Sequence, residues 1–456
     1  MTTSKLAFAL LAAYLAAPVL RAQTAQPTLS VQEVKRLQSL AQSWFEPWRE
    51  SREATDDATA RKLNKKLSDA KDKFLKEWEA RSKKTDLLGS MADLRAVFVQ
   101  PFKYPRVSGS GTLKGVREAN GVPAHSVFIP RNYKPEGDSL PSLLVLPGTA
   151  GEGWTSSREH FAATWEGSTF LNAAFAVVVD VPAEMDMDPV PDLSQPNAED
   201  SERQRIRQVF APMGAELKPL NYDRDRLYLD CGRGSSGFGL RLASYFPTRF
   251  AALVLRHPVP VTGDMRLGSL AGVPVLLVST PETKDACDSL AKTLNELEAG
   301  KCTILEGKGA YPFKESQADI EAWLLPQQRN MARTRVIVEP NSESFRKVFW
   351  VNVLKMEPLA GLPAAMRPRF VAEADRSTNR IKIESRGIEQ FQLLLNDDLV
   401  DLSKEFTIEV NGKLVTQTLS RNFGFMTEQM VTLFDPGWIF TAQYSAEVSK
   451  SEKDAK

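Results

Sequence analysis

The chain has 456 residues, 42% hydrophobic and 25% charged, with a formal net charge of +1, which is enough apolar material for one large core and a second, smaller one. So even a charge balance gives no reason to expect nucleic acid held through its phosphates, or attraction to an anionic membrane surface. The three cysteines, Cys231, Cys287 and Cys302, are too few for a disulfide-stapled fold and too scattered for a metal site; one bridge with a thiol left over, or no bridge, are both open.

In chain order, residues 1–22 read as a cleavable export signal. Lys5 supplies the positive start, Leu6 to Leu20 is an apolar run, and Leu20-Arg21-Ala22 offers a small residue for cleavage. The run is short of the roughly 20 residues a membrane span needs, and no later stretch reads as a span. No cysteine follows it, so no lipid anchor is expected, and the protein is expected in the periplasm, the envelope or the medium. Residues 29–86 then read as an antiparallel helical hairpin. Val34, Leu37, Ala41, Trp44 and Trp48, and then Ala60, Leu63, Leu67, Ala70 and Phe74, follow a three-four spacing. Ser30-Val31-Gln32-Glu33 fits a capping box, and Thr55-Asp56-Asp57 starts the second helix. The aromatic stripe either packs on the main domain or forms a partner-binding coiled coil.

Residues 109–328 alternate short apolar runs with helical stretches. Strands are expected at Ser126–Ile129, Ser142–Leu146, Ala174–Val179, Arg226–Leu229, Ala251–Leu255, Val273–Val278 and Cys302–Leu305. Helices are expected near Arg158–Thr164, Glu199–Phe210, Ser236–Tyr245, Asp285–Glu298 and Glu315–Leu324. This pattern predicts an α/β fold with a doubly wound, mostly parallel sheet covered on both faces. Residues 333–448 change texture to short alternating strands, among them Lys347–Val353, Arg369–Ala372, Ile381–Ile383, Phe391–Leu395 and Trp438–Val448. A hairpin turns at Asn411-Gly412. Roughly eight strands so spaced predict an all-β sandwich. Residues 449–456 are a polar tail, expected to be frayed.

The middle region resembles the α/β-hydrolase superfamily, particularly its secreted esterase, polyester-depolymerase and prolyl-oligopeptidase-type members. The resemblance rests on Ser126-Val127-Phe128-Ile129-Pro130-Arg131-Asn132-Tyr133, on Leu140 to Gly148, and on the frame from Asp225-Arg226-Leu227-Tyr228-Leu229 to Phe246-Pro247-Thr248-Arg249-Phe250. It implies a strand-to-helix turn carrying a nucleophile as G-x-S-x-G. Aligned through the frame, that motif falls on Cys231-Gly232-Arg233-Gly234-Ser235, so Arg233 holds the nucleophile's place. The histidine's place, in Gly307-Lys308-Gly309-Ala310-Tyr311, is held by Ala310, and the acid's by Thr283 between Glu282 and Asp285. Pro147-Gly148 stands where the family's oxyanion loop usually has His-Gly, although Gly148 and Thr149 still have N–H groups for an anion. Without a base a serine hydroxyl stays a poor nucleophile. The resemblance therefore implies a hydrolase fold without its usual triad.

Three readings follow. One is an exported binding protein that takes a small molecule, an oligosaccharide or a protein at the strand ends, where Gly148, Thr149, Asp180, Asp230, Arg233 and Lys308 are expected beside His257 and Ser279. The second is an unconventional ester or peptide hydrolase using Ser235, or Ser236, with His257. The third is a structural envelope scaffold. Arg233 either receives a ligand carboxylate or sulfate, or pairs with Asp230 or Asp180 and plugs the cleft. His125 and His160 read as structural, and Cys231 as a buried thiol unless a cation activates it. Glu184, Asp186 and Asp188 read as a solvated loop. No metal or cofactor is expected.

Overall fold

The computed structural model describes residues 26–53, 56–147, 157–182, 185, 187, 190–191, 198–258 and 265–448. The export signal, Gly148, Thr149, the Glu184/Asp186/Asp188 run and the polar tail lie outside them. The chain forms two compact units, Met1–Pro101 and Phe102–Lys456.

In the first unit, helices α1 (Val31–Glu53) and α2 (Asp57–Ser82) form a hairpin joined by a third helix, α3 (Met91–Phe98), that the sequence reading missed. The capping box forms: the Ser30 N–H donates to Glu33 Oε2 at 3.0 Å, and the Glu33 N–H donates to Ser30 Oγ at 3.3 Å. Asp56 caps α2 by accepting the Thr59 N–H at 2.8 Å. The aromatic stripe closes on itself and on α3. Trp44 and Phe74 lie 5.3 Å apart by ring centroids, and Phe45 stacks on Phe98 at 5.7 Å.

The second unit begins with an eight-stranded sheet in the order β1-β2-β4-β3-β5-β6-β7-β8. Its strands are β1 (Leu113–Val116), β2 (His125–Phe128), β3 (Leu140–Leu146), β4 (Phe175–Val179), β5 (Tyr222–Cys231), β6 (Ala252–Arg256), β7 (Val275–Ser279) and β8 (Cys302–Glu306). The first two run antiparallel to their neighbours, and from β4 to β8 every pairing is parallel. β4, β6 and β7 are buried along their whole length, because helices cover both faces and leave no polar face to alternate with. Those helices are α4 (Ser157–Thr164), α5 (Ala198–Leu217), α6 (Ser236–Tyr245), α7 (Lys284–Leu297) and α8 (Gln317–Leu324). The chain leaves β3 towards β4 on one side and returns to β5 on the other. The strand order therefore reverses at the carboxyl ends of β3 and β5, which opens a crevice there.

Two further sheets form the C-terminal sandwich: β10-β11-β14-β17, and β16-β15-β13-β12-β9. The strands are β9 (Arg335–Val338), β10 (Lys347–Val348), β11 (Val351–Met356), β12 (Arg369–Asp375), β13 (Arg380–Arg386), β14 (Ile388–Leu395), β15 (Phe406–Val410), β16 (Lys413–Gln417) and β17 (Ala442–Glu447). Phe370 and Phe391 meet between the sheets at 5.0 Å. Two expectations are corrected. The run Lys347–Val353 is two strands, broken where Phe349 takes a left-handed φ of 49°. The region is also not purely β, because α9 (Phe423–Leu433) sits between β16 and β17, capped by Asn422, whose side chain accepts the Phe425 N–H.

A candidate ligand cleft at the strand ends

β5 ends at Cys231, and Gly232 leads into a tight turn, Arg233–Ser235, that runs directly into α6. The helix lies close on the strand: a Cβ on Gly239 would stand 2.3 Å from Cys231 Sγ, so only glycine fits there. This strand–turn–helix stands at the crevice where the strand order reverses. The fold is a doubly wound α/β domain built on a mostly parallel eight-stranded sheet. No protein-family model matches the chain, and no curated protein matches it in sequence. Among solved structures it is similar to a thermostable esterase at 17% identity and a TM-score of 0.36, over 48% of this chain and 63% of the esterase. This chain thus spans less than two thirds of that esterase's length. It is also similar to FphF, a fluorophosphonate-binding serine hydrolase of Staphylococcus aureus, at 11% identity and a TM-score of 0.34, over 48% of this chain and 99% of that one. A third is the S-formylglutathione hydrolase FrmB of Staphylococcus aureus, at 14% identity and a TM-score of 0.35, over 48% and 97%.

At the turn, Arg233 is exposed, and its backbone N–H donates to the Tyr311 hydroxyl at 2.9 Å. Among the described residues its guanidinium makes no hydrogen bond or ion pair. The ion pair expected with Asp230 or Asp180 does not form. Asp230 is fully buried and held by Arg256, whose Nε donates to both carboxylate oxygens at 2.9 and 3.1 Å, and by Trp165 Nε1 at 2.5 Å. Arg256 also donates from Nη1 to the Pro312 carbonyl and from Nη2 to Gln317 Oε1, at 2.9 and 3.0 Å. Asp180, half-buried, accepts from the Ser157 hydroxyl. Burial raises its carboxyl above the ordinary range, against the charges of His125 and Arg158.

Ser235 is fully buried and points inward, donating to the Leu146 carbonyl at 2.8 Å with the Gly232 carbonyl at 3.2 Å. Ser236 donates to the Arg233 carbonyl at 3.1 Å. His257, at the end of β6, takes a left-handed φ of 52°, and its Nδ1 meets the Thr280 hydroxyl at 3.3 Å. Its Nε2 lies 4.0 Å from the exposed Glu282, and its ring stacks on Phe313 with Tyr311 edge-on. Burial lowers its proton affinity and the Arg233 charge lowers it further, against Glu282, so the imidazole is neutral near pH 7.

The structure thus gathers Arg233, His257, Thr280, Glu282 and Tyr311 at the crest. The other expected residues take other roles. Thr283 is buried and accepts the Thr280 N–H at 3.0 Å, closing the turn before α7. Ala310 is exposed and its carbonyl accepts the Phe313 N–H. Lys308 is on the surface, with Nζ on Asp319 at 2.7 Å. Sequence reasoning missed Tyr311 and Thr280 as cleft residues, and Arg256 and Trp165 beneath them. The one local hint was an arginine ending the apolar run Leu253-Val254-Leu255. None of the three cysteines forms a disulfide and all are buried; burial pushes Cys302 up to about 12, so it is an inert thiol. Among the described residues no helix is long and apolar enough to cross a membrane.

Proposed function

We propose that this protein is an exported, α/β-hydrolase-fold binding protein that does no acyl chemistry at its elbow and uses Arg233 there to receive an anionic ligand or partner group. One arrangement carries the reading: the elbow hydroxyl of Ser235 is turned inward onto the Leu146 carbonyl, while His257 has Nδ1 on Thr280 and Nε2 facing Glu282 at 4.0 Å, so neither ring nitrogen is on the serine. A nucleophilic serine needs a base within hydrogen-bond reach of its proton, directly or through one water. In the nucleophile's place stands an exposed guanidinium that has no carboxylate partner among the described residues, and whose planar donors match a carboxylate, sulfate or phosphate group. The neutral His257, the Tyr311 hydroxyl and Thr280 supply uncharged donors and acceptors around it. Export rests on the apolar segment Leu6–Leu20 behind Lys5.

The test is a thermal-shift panel of oligosaccharides, aromatic acids and peptides on the purified protein and on Arg233→Ala. We expect an acidic ligand to raise the Tm of the wild type and not of the variant. A flat response from both proteins would overturn the reading in favour of a scaffold. Turnover of a short-chain ester, abolished by Ser235→Ala, would overturn it in favour of a hydrolase.

A further inference from the structure

The opposite, amino-terminal end of the parallel strands holds a second feature, independent of the elbow. Where the loop between α6 and β6 meets the sandwich, a hollow of about 200 Å³ opens between Tyr245, Phe246, Phe345 and Trp438. It adjoins another of about 250 Å³, with Phe246, Arg249 and Leu433 common to both. Three cations line the first: Arg249, Arg346 and Lys347. All three are half-buried, and among the described residues none makes a side-chain hydrogen bond or ion pair.

Lys347 lies 4.0 Å from the centroid of the Trp438 ring. Burial, and then the like charge of Arg249, push its ammonium down to about 8. The carboxylate nearest to hand is already taken. Asp435 accepts two bonds from Arg329, at 2.7 and 2.9 Å, and a third from the Gly437 N–H. Tyr245 donates its hydroxyl to Glu202, away from the three cations. In the second hollow Arg224 lies over the rings of Tyr222 and Phe434, at 4.3 and 4.5 Å.

Elsewhere in this unit buried arginines are matched: Arg241 to Glu202, Arg256 to Asp230, Arg266 to Glu339 and Arg329 to Asp435. Three cations around one hollow, whose lining carboxylate Asp435 is already engaged by Arg329, disfavour the free protein, and a bound oxyanion would reverse that by charge-assisted bonds in a partly dry site. The aromatic walls fit a flat apolar body. We propose that this junction is a second ligand site, which binds an oxyanion carried on an aromatic ring system through Arg249, Arg346, Lys347 and Trp438.

The test is calorimetric titration of the full chain with 2-naphthalenesulfonate, with the neutral 2-naphthalenesulfonamide and inorganic sulfate in parallel. We expect one sulfonate per chain, weakened about tenfold or more by loss of either charge in Lys347→Met or Arg346→Gln, and bound equally by wild type and Arg233→Ala. The sulfonamide and sulfate should each bind at least about tenfold more weakly, since each lacks half of the recognition. Wild-type affinity should fall between pH 7 and 9.5 as Lys347 gives up its proton, while Lys347→Met shows no such fall. Without ligand, Lys347→Met should have a higher Tm, because it relieves the repulsion from Arg249. Equal binding of sulfonate and sulfonamide, no binding, or sulfonate binding unchanged in both cavity variants would overturn the proposal. Loss in Arg233→Ala alone would move the ligand to the elbow, which refutes this site and supports that one.

Discussion

Arg256 stands at the carboxyl end of β6 and Lys347 on β10, where the loop entering β6 meets the sandwich, and they are solvated by the protein in opposite ways. Arg256 is wholly buried, and its protons meet Asp230, the Pro312 carbonyl and Gln317. Lys347 is half-buried against Trp438, and its nearest charged influence is another cation, Arg249. The first is a finished network that fixes the ground beneath the elbow; the second is left incomplete by the fold alone. Among the described residues Arg233 shares with Lys347 the lack of an ion-pair partner, but its exposure makes that lack cheap. Pairing therefore separates charges that build the fold from charges that await something else.

The sharpest way to break the comparison is to remove one member of the finished network. Asp230→Ala strands the Arg256 charge in the core and should destabilise by about 3–5 kcal/mol in urea unfolding at pH 7. A loss below about 1 kcal/mol would mean the network carries no such role.

Acid tests the same core through His160. This imidazole is fully buried and lowered to about 4, first by burial and then by Arg256, against Asp230. Between pH 6.5 and 4 the unfolded chain takes up a proton that the folded chain refuses, so stability falls as pH falls, by up to ~3 kcal/mol. His125 acts in the opposite sense. Burial disfavours its charged form, but the bond to Glu216 Oε1 at 2.9 Å prevails and raises it, so its contribution is present at low pH and is lost as pH rises. Unfolding free energies at pH 7 and 4.5 should therefore diverge less in His160→Asn than in the wild type.

Gly239→Ala probes the elbow's packing without touching charge. The added methyl meets Cys231 Sγ and should destabilise by about 1–3 kcal/mol, with partial rescue by Cys231→Ala. Arg233→Ala should change stability least, by about 0.5 kcal/mol or less, as suits an exposed side chain with no partner to lose.

Much of this was legible in the residues. Ala174–Val179 and Val273–Val278 read as buried strands because an internal parallel strand is apolar on both faces, and the strands that form are Phe175–Val179 and Val275–Ser279. The Ser30/Glu33 box and the Asn411-Gly412 turn are local chemistry, and both formed. β1 was missed because a short edge strand, Leu113-Lys114-Gly115-Val116, carries no apolar run. The charge networks were missed because their partners are far apart in sequence, 26 residues for Asp230 and Arg256 and 106 for Arg329 and Asp435. For the same reason Lys347 read as an ordinary strand residue, and one of the two partners weighed for Arg233, Asp230, is already held by Arg256.

The most direct measurement of the central claim is intact-mass spectrometry of the purified protein after exposure to a fluorophosphonate. With the Ser235 hydroxyl bonded to the Leu146 carbonyl and no imidazole on it, the mass should remain that of the unmodified chain. A stoichiometric adduct that disappears in Ser235→Ala would contradict the account and make the elbow a working serine hydrolase centre.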